Sequence, residues 1–239
     1  MDKLGQHISQ QFDEELEDIR NRVMAMGGLV EQQLADAVKA LSDIDAELAE
    51  VVMTNDYKIN AMEVAIDEEC VQILARRQPA AGDLRLVIAV IKTITDLERI
   101  GDEAERVGRM ALHFAETGGE SKMLIGMSHM GVHVRDMLHG ALDAFARMDT
   151  DAAVRVAKKD AKVDREYESI LRELITYMME DSRAIPHVLD VMWSARALER
   201  IGDRAKNICE YVIYLVKGKD VRHVSLDQVE AHARSKNSD

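Results

Sequence analysis

Apolar residues recur along most of this chain in alternating steps of four and three. One run reads Leu86, Val90, Thr93, Leu97, Ile100, Ala104, Val107 and Ala111; another reads Val191, Ser194, Leu198, Ile201, Ala205, Ile208, Val212 and Leu215. That spacing draws one apolar stripe along an α-helix and suits near-antiparallel packing against neighbours. Breaks in the pattern punctuate six predicted helices. The first runs from about Ile8 to Leu41, with Gly27-Gly28 as its weak point, and the second leads from a turn at Ser42-Asp43 to about Arg77. Pro79 precedes a third from Ala81 to Glu116, and Thr117-Gly118-Gly119 is the clearest linker. The later helices span about Lys122 to Arg147, Thr150 to Asp181 and Pro186 to Lys217. Pro186 fits a first helical turn, where a missing N–H is no loss. At 1.5 Å per residue the longest of these helices reach roughly 50 Å.

The pattern is written twice. LERIGD occupies 97–102 and again 198–203, and Pro79 and Pro186 stand in matching places ahead of the two copies. A tandem duplication follows, and with it the fold class: all-α, six long helices in two tandem, pseudo-symmetric three-helix bundles. The expected boundaries are 1–117 and 121–217, followed by a polar, mobile tail over 218–239.

Composition narrows the class further. Of 239 residues 47% are hydrophobic, but aromatics are only 4% and prolines number two, which favours long helices over a β-sandwich or a Rossmann sheet. The formal net charge of −13 removes the global basic footprint that nucleic-acid binding needs. It favours cations or basic faces of partner proteins. The two cysteines, Cys70 and Cys209, form no Cys-x-x-Cys and read as core residues of a reducing cytoplasm. The N-terminus is too polar for a signal peptide, and the longest apolar runs, 86–91 and 211–216, are far too short to span a bilayer.

The candidate chemistry lies in acid pairs. Glu98 and Asp102 stand at i and i+4 on one helix face, and Glu199 and Asp203 repeat them in the second copy. Each pair is rotated about 100° from the core stripe, which puts it on the flank of the bundle, within reach of a cation. Asp160 and Asp164 give a third i,i+4 pair; the corresponding Asp56 is followed by Asn60, which weakens the fourth. A solvated face with ordinary ion pairs, Asp102 with Arg106 and Glu105 with Arg109, is the plain reading of one such pair. Two copies that keep like charges one turn apart, with Gly101 and Gly202 inside the motif, point instead to a metal site or to close approach by a neighbouring helix. All-oxygen ligands suit Mg, Ca, Mn or Fe, and also Zn. His129 and His133 offer a further i,i+4 pair that reads better as a polar face. Trp193 is a packing residue or an interface anchor. No phosphate loop, nucleotide-binding glycine motif or catalytic constellation stands out.

The segments RRQPAAGDLRLVIAVIKTITDLERIGDEAERV (76–107) and ARALERIGDRAKNICEYVIYLVKGKDVRH (195–223) resemble the PhoU family of phosphate-transport regulators. The family's signature, Glu or Asp followed four residues later by Asp, matches Glu98/Asp102, Glu199/Asp203 and Asp160/Asp164, whereas Asn60 departs from it after Asp56. The resemblance implies a cytoplasmic, non-enzymatic homodimer that sits at the inner membrane only through its partners. It would restrain the phosphate-starvation response by coupling the ATPase of the phosphate ABC transporter to a sensor histidine kinase. It also implies iron, zinc or another divalent cation on the acidic motifs. A carboxylate-bridged metalloenzyme or a metal-storage protein is the alternative.

Overall fold

The computed structural model describes the backbone of residues 2–221 and the side chains of residues 10–221. The predicted tail beyond Val221 lies outside the described residues. The first half comprises α1 (Asp2–Asp43), α2 (Ala46–Asn55), α3 (Tyr57–Arg77) and α4 (Ala81–Glu116). The second comprises α5 (Ile125–Arg147), α6 (Thr150–Ala157), α7 (Asp160–Glu180) and α8 (Ile185–Lys217). The described residues contain no strand. The six long helices are present, and the second of each half is interrupted, as α2–α3 and as α6–α7.

These interruptions were not expected from the apolar pattern, which runs through them. Asp56 at the first keeps right-handed helical angles, φ −57° and ψ −34°. So do Lys158 and Lys159 at the second, so each interruption is a kink in one helix rather than a loop. Other punctuation is local and repeats between halves. Ile44 and Met148 take left-handed conformations, φ 56° and 52°, to end α1 and α5. The next residues, Asp45 and Asp149, cap α2 and α6 by accepting from the N–H of Leu48 and Ala152 at 3.0 and 2.9 Å. Each cap satisfies a backbone donor that a helix start otherwise leaves open. Gly118 and Gly218 supply the positive φ that closes α4 and α8. The expected weak point at Gly27-Gly28 is continuous helix, and a Cβ on Gly27 would lie 2.7 Å from Leu142 of α5, so this glycine serves contact between α1 and α5.

Both predicted stripes are buried along their whole length. Yet α4 and α8 bury far more than one stripe, because each packs on its own half and also on the other. Asp96 of α4 is 2% exposed; it accepts from Arg204 at 3.1 Å and from the Tyr211 hydroxyl at 2.8 Å, both on α8. Glu103 meets Arg200 at 2.8 Å, and His113 meets Asp190 at 2.8 Å. Charge buried along this seam is paired, as burial requires. One core therefore runs through both bundles.

Candidate metal centre

Each kink turns an acid inward. Asp56 and Asp160 are 7% and 5% exposed, and each faces the glycine of a LERIGD copy. A Cβ on Gly101 would lie 3.1 Å from Asp56 Oδ1 and 3.2 Å from Ile59; on Gly202 it would lie 3.8 Å from Asp160 Oδ1 and 3.4 Å from Val163. The glycines in the motif thus admit the kinked helix and its carboxylate against α4 or α8. Of the two explanations that the sequence left open for them, close helix approach is the one visible.

The first cluster gathers Asp56, Glu98, Asp102 and a residue that sequence reasoning assigned only to an ion pair, Glu105. One oxygen each from Asp56, Asp102 and Glu105 lies within 4.8 Å of the others. Asp56 is held by neutral donors alone in the bonds described: Gln33 Nε2 at 3.0 Å on Oδ1 and Asn60 Nδ2 at 2.9 Å on Oδ2. Asn60, which broke the acid pattern, thereby orients Asp56. The expected pairing of Glu105 with Arg109 is present at 2.6 Å, but Arg106 closes on Glu103 at 3.3 Å rather than on Asp102. Partial burial raises the pKa of Glu98, with Asp102 and Glu63 adding to the effect, and raises that of Asp102, with Asp56 and Glu105 adding. Glu63 on α3 is raised by burial and by Asp67. These are carboxyls that lack enough positive charge nearby.

The second cluster holds Asp160, Asp164, Glu199 and Asp203, with cations among them. Lys206 Nζ donates to Asp160 Oδ2 at 2.6 Å, and Arg196 Nη1 to Glu199 Oε1 at 2.7 Å. Burial disfavours the charge of Lys206, but its bond to Asp160 and the surrounding carboxylates outweigh that and keep its pKa above the ordinary lysine value. Burial, then mutual repulsion, raises Glu199, Asp203 and Asp164. Lys206 and Arg196 escaped the sequence reading because each looks like one more solvated charge. Their signal is positional: each lies three residues from a motif acid and shares its face.

The remaining candidates fall elsewhere. His133 sits between Glu166 and Lys162, at 2.8 and 2.7 Å, and His129 is exposed, so the two do not form a chelating pair. Cys70 and Cys209 are fully buried, and burial pushes the Cys70 thiol up to about 12 and the Cys209 thiol up as well, which suits core residues. Trp193 is 55% exposed and does not serve the core of this chain.

The donor set of the first cluster fits a hard cation. Its ligands are carboxylate oxygens alone. Beside them Gln33 Oε1 and Asn60 Oδ1 are buried without a hydrogen-bond partner. Asp56, Asp102 and Glu105 would hold the ion, with Glu98 alongside.

Comparison with known proteins agrees with this architecture. The family profile described as PhoU domain matches twice, over residues 23–111 and 127–212. The phosphate-specific transport system accessory protein PhoU homolog of Pseudomonas aeruginosa is 57% identical over 229 residues, covering 96% of this chain and 95% of that protein. The Escherichia coli accessory protein PhoU is 54% identical over 237 residues, covering 99% and 98%. The crystal structure of PhoU from Pseudomonas aeruginosa superposes with a TM-score of 0.85, covering 87% of this chain and 100% of that one. The phosphate transport system regulatory protein PhoU from Streptococcus pneumoniae, 32% identical, gives 0.81 over 88% and 99%. With two matched domains and relatives aligned end to end, this chain belongs to the PhoU domain family.

Proposed function

We propose that this protein is a cytoplasmic regulator of phosphate uptake that restrains the phosphate-starvation response when phosphate is plentiful. It acts as a homodimer, by contact with the ATPase subunit of a phosphate ABC transporter and with a sensor histidine kinase, and it is not an enzyme. The observation that carries this reading is the end-to-end similarity to proteins described as phosphate-specific transport system accessory proteins. The physical character of the chain supports it: an acidic scaffold of long helices offers long faces to partners. No helix of the described residues is long and apolar enough to cross a membrane, so contact with a transporter would be made through its soluble parts. A net charge of −13 makes encounter with basic partner faces sensitive to salt.

A hard or borderline cation such as iron, zinc, magnesium or manganese belongs to this reading as a structural element. Bound at the first cluster, it would neutralise carboxylates on α4 and at the kink and so fix the angle between α3 and α4. Pull-down from native lysate, with the transporter ATPase or the kinase as bait, tests the function. Capture that weakens with added salt supports it. Failure to bind either partner at any phosphate level, together with phosphoester hydrolysis that is lost on Asp56→Asn/Asp102→Asn or on Glu199→Gln/Asp203→Asn, would replace it with the metalloenzyme alternative.

A further inference from the structure

We infer that the duplicated acid clusters are chemically unequal, with Lys206 acting as a built-in cation that closes the second cluster to metal. The inference rests on the metal reading above for the first cluster.

The equivalence of positions carries the argument. The two LERIGD copies pair Glu98 with Glu199, Gly101 with Gly202 and Asp102 with Asp203. The same alignment pairs Thr95 with Arg196 and Glu105 with Lys206. The kinks pair Asp56 with Asp160, since each meets its own motif glycine. At these two positions, the half that carries four motif acids also carries a cation, whereas the first half's own cations, Arg106 and Arg109, pair with Glu103 and Glu105 and not with Asp56. Arg196 reaches Glu199 at 2.7 Å, whereas Thr95 turns its hydroxyl to the Ile91 carbonyl at 3.0 Å. Lys206 reaches Asp160 at 2.6 Å, whereas Glu105, paired with the exposed Arg109 at 2.6 Å, adds a further carboxylate oxygen near Asp56 and Asp102.

The consequences for a metal ion are opposite. In the first cluster the donors to the buried Asp56 in the bonds described, Gln33 and Asn60, are neutral amides, so no ammonium or guanidinium occupies its oxygens. In the second the buried Asp160 is already ion-paired, and a divalent ion entering there must either expel Lys206 or lie within a few ångströms of its ammonium. Expulsion leaves a partly buried charge without its partner, and coexistence is repulsive in a setting less screened than water. The second cluster does retain a free donor, Glu199 Oε2, buried and without a hydrogen-bond partner. Removing Lys206 should make that oxygen available together with Asp160 and Asp203.

The test is metal stoichiometry on the full-length chain, stripped with chelator and dialysed against Mn2+, with bound metal measured by elemental analysis. The wild type should hold one ion per chain, lose it on Asp56→Asn/Asp102→Asn, and keep it on Glu199→Gln/Asp203→Asn. Lys206→Glu, which copies the Glu105 position, should raise the count to two. Adding Glu199→Gln/Asp203→Asn to it should return the count to one. Lys206→Gln is the milder variant should Lys206→Glu fail to give a wild-type circular dichroism spectrum; it too should gain a second, weaker ion. A wild type that holds two ions and loses one on Glu199→Gln/Asp203→Asn overturns the role of Lys206 while leaving the metal reading intact. So does a wild type with one ion when neither Lys206 variant gains another. A wild type without metal, beside a Lys206→Glu variant that binds one ion, keeps the role of Lys206 and overturns the first-cluster reading. No binding by any variant overturns both.

Discussion

Alanine at the two motif glycines should have opposite effects, although the glycines occupy equivalent positions in a repeated sequence. In a helix interior Ala is favoured over Gly by about 0.8–1.0 kcal/mol. At Gly202 a new methyl would find Val163 Cγ1 at 3.4 Å and Asp160 Oδ1 at 3.8 Å, both ordinary contacts, so the gain should survive. At Gly101 it would meet Asp56 Oδ1 at 3.1 Å and Ile59 at 3.2 and 3.4 Å. Neither neighbour can yield easily: Ile59 is 1% exposed, and Asp56 is tied to Gln33 and Asn60. Overpacking of this kind costs about 1–3 kcal/mol, enough to cancel the propensity gain and exceed it. Gly202→Ala should therefore stabilise the chain by up to about 1 kcal/mol. Gly101→Ala should destabilise it by about 1 kcal/mol, for a separation near 2 kcal/mol. Urea denaturation of chelator-treated protein, followed by circular dichroism with a common slope for all variants, reads this directly; the two midpoints should fall on either side of the wild type. Equal shifts in the same direction would refute the claim that the kinked helix presses on α4 more closely than on α8.

Three further outcomes follow from the same geometry. Asp96→Ala removes the acceptor that joins Arg204 and Tyr211 across the halves, and should cost about 2–3 kcal/mol by denaturation, discounted because Arg204 is a quarter exposed; a cost below 1 kcal/mol would count against the seam. Gln78 is exposed and left-handed at φ 49°, so Gln78→Gly should stabilise by about 1 kcal/mol, whereas Gln78→Val should destabilise. Without metal, the raised carboxyls Glu98, Asp102, Glu199 and Asp203 bind protons more tightly in the folded than in the unfolded chain. Their contribution to stability is thus complete below the ordinary carboxylate range and is lost as pH rises through their raised values. Glu98→Gln/Asp102→Asn should flatten that part of the pH–stability curve measured in chelator, and an unchanged slope would contradict the assignment.

The helices were legible because their stripes are long and their ends carry strong local signals. Pro79, Pro186 and Gly118 mark boundaries that the folded chain keeps. The acid pairs were legible as residues, and so was their placement beside the core stripe. The seam between α4 and α8 was not, because a stripe search finds one apolar face and these helices bury two. The clue lay in Ala89, Asp96 and Glu103, all buried off the stripe and spaced seven apart, and two of them are charged. Nor do glycine or proline mark the first kink: Asp56 keeps helical angles, and the local sign is weaker, Thr54 and Asn55 donating to the Val51 carbonyl at 3.2 and 3.0 Å. The unequal charge of the two clusters was in the sequence all along, at Glu105 and Lys206. Its meaning needed distances, because a lysine beside a carboxylate is ordinary on any helix until the carboxylate proves to be buried.

The regulatory role is tested most directly by loss of the gene in its own host. Alkaline phosphatase activity, measured in phosphate-rich medium, should rise to the level of starved cells when the gene is deleted and fall again when an intact copy is returned. A deletion strain that keeps the enzyme repressed in rich medium, and induces it normally on starvation, would contradict a role in restraining the phosphate response.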